Sequence, residues 1–195
     1  MTRVLVVFSS VEGQTEKIAK AVAGELRKLG HSVDLKNASN SHDDVHAVVY
    51  GGVVIGAPVH YSGYPSSLQR WVKDNAKDLS VRPSAFFSVC LGILQKDDQK
   101  AQRDQQKIVQ DLFDWSSWHP THWTIFAGAL PYSKYGFIKR LYMKMASKRG
   151  GADTDTSRDY EYTNWEEVRR FSSDFHADLL TAQSKAQAPL KVKAA

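Results

Sequence analysis

Residues 3–30, RVLVVFSSVEGQTEKIAKAVAGELRKLG, carry an apolar block, a short polar turn and a helix-period segment in immediate succession. The block Val4-Leu5-Val6-Val7-Phe8 shows no alternation with polar residues, so it reads as a strand covered on both faces. After the turn, Ile18, Val22, Leu26 and Leu29 recur at i, i+4, i+8 and i+11, one stripe of an amphipathic helix that Gly30 stops. Strand, turn and helix in that order open a βαβ unit. The rest of the chain is therefore expected to continue a parallel sheet with helices on both sides.

Working outward, the same alternation repeats. Residues 32–36 predict a second strand through Val33 and Leu35, and residues 47–57 contain a third around Val53-Val54-Ile55. Residues 65–79 predict a helix with Leu68, Trp71, Val72 and Ala76 on one side. A fourth strand at 84–91, a charged helix at 97–113 and a fifth strand at 121–130 follow. Thr163 with Glu166 forms a capping-box pattern for a last helix ending near Leu180. Five strands interleaved with helices predict an α/β fold, a flavodoxin-like or Rossmann-like three-layer sandwich with a five-stranded parallel sheet. The segment 131–162 is too long for a plain connection and reads as an insertion before the last helix, within a single domain spanning residues 1–180. The Ala/Lys/Gln-rich residues 181–195 read as a disordered tail.

Composition narrows the function. The chain has 195 residues, 42% of them hydrophobic and 24% charged, enough apolar material for one packed core. No apolar run reaches the roughly 20 residues of a spanning helix, and the N-terminus runs straight into the first strand with no leader-like cleavage site. The single cysteine, Cys90, lies inside an apolar run, which suits a buried thiol in a reducing intracellular compartment. A net charge of +5 could serve an anionic partner. The basic residues come with no helix-turn-helix, RNP or zinc pattern, and the seven histidines show no metal-ligand spacing, so neither nucleic acid nor a metal is expected. Self-association into a homo-oligomer is compatible with the composition.

The turn after the first strand holds the most informative residues, Ser10, Val11, Glu12, Gly13, Gln14 and Thr15. A loop that runs into a helix N-terminus offers unpaired backbone N–H groups and the positive end of the helix dipole, with hydroxyls from Ser10 and Thr15. Such a loop holds a phosphate without lysine. The sequence lacks GxxxxGK[ST] and GxGxxG, which argues against a nucleoside triphosphatase and a dinucleotide fold, and Phe8-Ser9-Ser10 lacks the carboxylates of a response regulator. The pattern is that of a flavodoxin phosphate site, [ST]xTGxT, with Glu12 in place of the middle threonine. After the third strand, the loop carrying Pro58, Val59, His60, Tyr61 and Tyr64 supplies apolar and aromatic surface, and Leu91 and Gly92 follow the fourth strand. Three loops at consecutive strand ends predict one site for a phosphorylated planar ligand, FMN.

Within the insertion, Phe137, Leu141 and Met145 share one helical face while Lys139, Arg140 and Lys144 lie on the other. That pattern fits a helix lying on an anionic membrane surface or over a large apolar ligand.

Taken together, the residues resemble a family. Phe8-Ser9 with Gly13-Gln14-Thr15, Val54-Ile55-Gly56-Ala57, Pro83-Ser84-Ala85-Phe86, Ala127-Gly128-Ala129-Leu130, Gly150-Gly151 with Thr154-Asp155-Thr156, and Tyr162-Thr163 with Trp165-Glu166 are similar to the quinone-dependent protoporphyrinogen IX dehydrogenases of the flavodoxin superfamily. The resemblance implies FMN as prosthetic group, oxidation of protoporphyrinogen IX to protoporphyrin IX in haem biosynthesis and a quinone as acceptor, while peripheral contact with an anionic membrane is expected from the basic insertion. A general NAD(P)H:quinone oxidoreductase and a flavodoxin-type electron carrier share the same loops and stay open at this stage, although carriers are usually acidic.

Overall fold

The computed structural model describes residues 1–38, 45–60, 63–94, 98–134 and 155–187. Five strands, β1 (Arg3–Phe8), β2 (Ser32–Asn37), β3 (Gly52–Pro58), β4 (Ser84–Cys90) and β5 (His122–Ala127), pair in parallel in the order β2-β1-β3-β4-β5. The order reverses between β1 and β3, where Phe8 stands opposite Gly56. Helices α1 (Gln14–Lys28) and α4 (Trp165–Gln187) cover one face, and α2 (Ser66–Ser80) and α3 (Gln99–Ser116) cover the other. This is the three-layer flavodoxin-like sandwich that the apolar periodicity predicts.

Side-chain alternation along each strand divides the core in two. Val4, Val6 and Phe8 face Ile18, Val22 and Leu26 of α1 and Phe171, Phe175 and Leu179 of α4, whereas Leu5 and Val7 join Leu68, Trp71 and Val72 of α2 and Phe113 of α3. Because both faces are covered, β3 and β4 are buried along their whole length, which is why they read as unbroken apolar runs. The polar groups enclosed there are paired. Trp118 Nε1 donates to Ser84 Oγ at 3.0 Å, and the Tyr64 hydroxyl donates to Ser88 Oγ at 3.0 Å.

Local chemistry sets the helix ends. Gly30, at φ 89°, closes α1 with bonds from its N–H to the Arg27 carbonyl (3.0 Å) and from the His31 N–H to the Leu26 carbonyl (3.1 Å), the two bonds of a Schellman motif. Asp98 caps α3 by accepting from the N–H groups of Lys100 and Ala101 at 2.9 and 3.0 Å.

Four expectations change. The stretch 47–57 is not one strand, since Ala47–Val49 forms a 3₁₀ turn and β3 starts only at Gly52. The stretch 121–130 is not one strand either. β5 ends at Ala127, and after Gly128 the short β6 (Ala129–Leu130) pairs antiparallel with β7 (Tyr160–Glu161), closing the base of the insertion. Thr163 does not cap α4. Asn164 does, its Oδ1 accepting from the Glu166 N–H at 3.0 Å, as suits asparagine's high rank among caps. Finally, α4 runs on past Leu180 to Gln187, because Ala182, Gln183, Lys185 and Ala186 are strong helix formers and the Gln183 amide bonds the Thr2 hydroxyl.

Gly56 is where the sheet has least room. A Cβ built there would lie 2.1 Å from the Phe87 ring, itself fully buried between Phe126 and Phe171. Gly56→Ala is expected to lower the unfolding free energy by about 1–3 kcal/mol through overpacking, read as a reduced urea midpoint. A wild-type midpoint would show that Phe87 can move aside.

Candidate functional site

Loops leave the carboxyl ends of β1, β3, β4 and β5 on the same edge of the sheet, and open α/β sheets bind ligands in the crevice at that edge, where the strand order reverses. The first loop follows directly from β1. The Ser9 N–H donates to the Gly56 carbonyl at 3.0 Å and carries the β1–β3 ladder one residue further. Ser10 then turns back, its Oγ accepting from the Gly13 N–H at 3.1 Å. Gly13 adopts φ 98°, a left-handed conformation that glycine takes without penalty, and becomes the N-cap of α1. The first intrahelical bond runs from the Lys17 N–H to the Gly13 carbonyl at 3.0 Å.

The N–H groups of Gln14, Thr15 and Glu16 consequently precede any intrahelical acceptor and fan out from the helix start. A helix start of this kind offers an anion backbone donors and the positive end of the helix dipole. The Ser10 hydroxyl keeps its own hydrogen free to donate, since its oxygen serves Gly13 as acceptor. Thr15 is buried at the start of α1, Glu12 and Gln14 are half-buried, and Val11 is exposed at the loop tip. Glu16 is paired with Lys20 at 2.7 Å, which offsets its charge near the loop.

The second loop continues from β3. Pro58 is buried beside Val89, and the Val59 N–H donates to the Val89 carbonyl at 2.9 Å. His60 and Gly63 close a small bridge by exchanging backbone bonds of 2.9 and 3.0 Å. Tyr61 lies outside the described residues. Tyr64, which the sequence groups with this aromatic loop, belongs to the core instead, its ring edge-on to Phe86 and its hydroxyl pushed well above the usual tyrosine range by burial.

The third loop is the turn Gly92–Leu94 after β4. Leu91 packs on a small apolar cluster of Leu130, Tyr132, Tyr160 and Tyr162, and Gly92 lies close under Gln105, where a Cβ would come within 2.7 Å of Nε2. Cys90 ends β4 as a buried thiol, and burial pushes its pKa up although the Gly92 and Ile93 backbone N–H groups face it. The Gly128 N–H donates to the Cys90 carbonyl at 3.3 Å, tying β5 to this loop.

The sequence reading missed a fourth wall. Thr163 Oγ1 donates to the Ala127 carbonyl at 2.8 Å and accepts from Gln14 Nε2 at 2.8 Å, so the start of α1 is bonded to the end of β5 through one hydroxyl. Next to it, Lys17 pairs with Glu161 and lies 5.3 Å from the Trp165 ring centroid, and Trp165 Nε1 donates to Glu161 at 2.8 Å. The [ST]xxE pattern directs attention to Thr163, but toward helix capping. The loops therefore form a bonded circuit from β1 through β3, β4 and β5 and back to α1. Lys139, Arg140 and Lys144 lie outside the described residues. The base of their segment is held by the β6–β7 pair and by Ser133, whose N–H and hydroxyl donate to Asp159 at 2.7 and 2.6 Å.

A cavity of about 360 Å³ lies elsewhere, between β5 and α4, lined by His122, Trp123, Phe171, Asp174 and Asp178 among others. None of the loop residues contributes to it. It opens beside the first residues of β5, away from the strand ends that gather the N–H groups.

A family model described as a flavodoxin domain matches residues 5–157. The protoporphyrinogen IX dehydrogenase [quinone] of Escherichia coli (strain K12) is 35% identical over 172 residues, covering 88% of this chain and 93% of that protein. The protein of the same name from Leishmania major is 34% identical over 177 residues, covering 89% of this chain and 74% of its own. Among solved structures, oxidised flavodoxin 1 from Bacillus cereus superposes with a TM-score of 0.53 at 15% identity, over 90% of this chain and 97% of that one.

The left-handed Gly13 gives the loop a direct test. Gly13→Ala is expected to cost roughly 1–2 kcal/mol of stability through the φ penalty, while Gly63→Ala, whose added Cβ meets nothing within 4 Å, should leave the urea midpoint unchanged. Equal midpoints for both variants would show that the Gly13 conformation relaxes at no cost.

Proposed function

The chain belongs to the flavodoxin family, alongside the quinone-dependent protoporphyrinogen IX dehydrogenases, and from this membership we propose that it holds FMN and oxidises protoporphyrinogen IX to protoporphyrin IX, with a quinone as electron acceptor. The observation that carries the cofactor is the start of α1. Its backbone N–H groups, the left-handed Gly13 and the Ser10 hydroxyl suit one terminal phosphate at the β1/β3 reversal. The loop lacks the glycine spacing that a pyrophosphate requires, which favours FMN over FAD. Identity over nearly the whole length of the Escherichia coli relative supports the substrate and the acceptor.

In this reading Ser10 and the N–H groups of Gln14, Thr15 and Glu16 bind the phosphate. Pro58, Val59, His60 and Tyr61 on one side and Leu91 and Gly92 on the other flank the ring system and keep water from it. Bound FMN supplies the redox chemistry, accepting electrons from the porphyrinogen and passing them to the quinone. The protein's own part is orientation. Buried Cys90 and Tyr64, both held in their neutral forms by burial, add no charge beneath the site. The basic segment containing Lys139, Arg140 and Lys144 contacts an anionic membrane and brings the site to its lipid-borne acceptor, a role supported by the amphipathic pattern of the segment. Among the described residues no helix is long and apolar enough to cross a membrane.

The purified protein is expected to be yellow, to release FMN and not FAD on denaturation, and to bleach on anaerobic mixing with protoporphyrinogen IX, with colour returning on addition of a quinone. Bleaching by NADPH but not by the porphyrinogen would assign it to general quinone reduction instead.

For the membrane contact, three basic side chains at roughly 1 kcal/mol each could contribute about 3 kcal/mol of reversible attachment. Replacing Lys139, Arg140 and Lys144 by glutamate should reduce sedimentation with anionic liposomes and slow turnover with lipid-embedded quinone, leaving FMN content unchanged. Equal liposome binding by wild type and the triple variant would remove the membrane role.

A further inference from the structure

Thr163 stands where a helix cap is expected, yet its hydroxyl faces away from α4. Asn164 has taken the cap, and Thr163, only 8% exposed, points its Oγ1 between Gln14 and Ala127. A hydroxyl has one hydrogen to give, and here it goes to the Ala127 carbonyl, so the oxygen is left as the acceptor for the Gln14 amide. Both bonds are 2.8 Å and both directions are fixed. The segment around Thr163 is itself anchored, because the Tyr162 N–H donates to the Gly128 carbonyl at 3.1 Å.

What Thr163 holds is the first residue of α1. Gln14 contributes one of the backbone N–H groups that precede the intrahelical ladder, and Lys17, three residues on and so on the same helix face, is held by Glu161 and Trp165 from the same segment. The first turn of α1 is thus gripped at two points by residues 161–165. Ahead of that turn the Gly13 N–H is held by Ser10 Oγ, and Thr15 is buried at its base. The cap residue Gly13 has no side chain, and no side-chain hydrogen bond caps the helix. The clamp to the end of β5 adds a side-chain restraint on the direction in which the N–H fan points.

We infer that Thr163 is a positioning residue for the cofactor, aligning the phosphate-binding turn of α1 through its bond to Gln14 without touching the ligand itself. The inference rests on the FMN reading above. Deleting the hydroxyl leaves the first turn free to tilt and the Ala127 carbonyl without its donor, and both effects weaken phosphate binding.

The test uses Thr163→Val, which keeps the shape and removes the hydroxyl, Thr163→Ser, which restores it, and Gln14→Met, which removes the same bond from the other side. For each, FMN affinity is measured by flavin fluorescence quenching, the FMN release rate by dilution, and stability by thermal unfolding of the FMN-free protein. Thr163→Val is expected to bind FMN about tenfold more weakly, the effect of one well-placed hydrogen bond. Thr163→Ser should return close to wild-type affinity. The double variant of Thr163→Val with Gln14→Met should bind no more weakly than Thr163→Val alone, since both break one bond. Wild-type affinity in Thr163→Val, or additive losses in the double variant, would overturn the inference. So would a lowered melting temperature with an unchanged FMN release rate, which would make the residue structural only. If Thr163→Val does not fold, Gln14→Met alone decides, and unchanged affinity there overturns the inference. A wild type that does not take up FMN would instead overturn the cofactor reading.

Discussion

A parallel sheet with both faces covered meets water only along its edge strands and at the ends of its strands, and that constraint organises the whole molecule. Every strand from β1 to β5 points the same way, so the loops that leave them collect on one edge. At the reversal between β1 and β3, neighbouring loops diverge to opposite faces and leave a crevice. Among the described helices, the one whose N-cap is a glycine, α1, starts there. Burial of Val4, Val6 and Phe8 against α1 and α4 sets the height of α1 on the sheet, and so the height at which its N–H groups emerge.

Packing at β3 serves the same end. Gly52 and Gly56 carry no side chain on the face covered by α1 and α4, and Leu179 and the Phe87 ring fill the space they leave. The helical layer can then sit low over β3 while the opposite face is filled by Val53 and Ile55. A rigid, close-packed floor of this kind keeps the loop backbones in register with one another.

The β6–β7 pair gives the insertion a role in the architecture apart from any ligand. Leu130, Tyr132, Tyr160 and Tyr162 form a small cluster of their own against Leu91, so the base of the insertion leans on the loop after β4. Its outgoing strand leads straight into the residues that bond Gln14 and Lys17. The base of the insertion is thereby joined physically to the loop after β4 and to the start of α1.

Much of this was legible from the residues in order. Period-two and period-3.6 patterns depend on which face each residue buries, and they located five strands and the helices. Gly30 marked a helix end because a left-handed residue closes it, whereas the left-handed turn at Gly13 emerges only in the structure. The resemblance carried the family and its chemistry through residues that a local pattern alone could not interpret. What escaped was decided by competition in three dimensions. Asn164 and Thr163 are both good caps, and only the position of the Ala127 carbonyl and the Gln14 amide determined which would be used elsewhere. Residues 121–130 look like one apolar strand, but past Ala127 there is no parallel neighbour to extend β5, while Tyr160 and Glu161 are within reach to pair antiparallel. Tyr64 reads as a loop aromatic until its hydroxyl finds Ser88 in the neighbouring strand. A one-dimensional pattern records the preferences of each side chain, whereas the choice among equal preferences depends on which distant backbone or side-chain partner the fold brings within hydrogen-bonding distance.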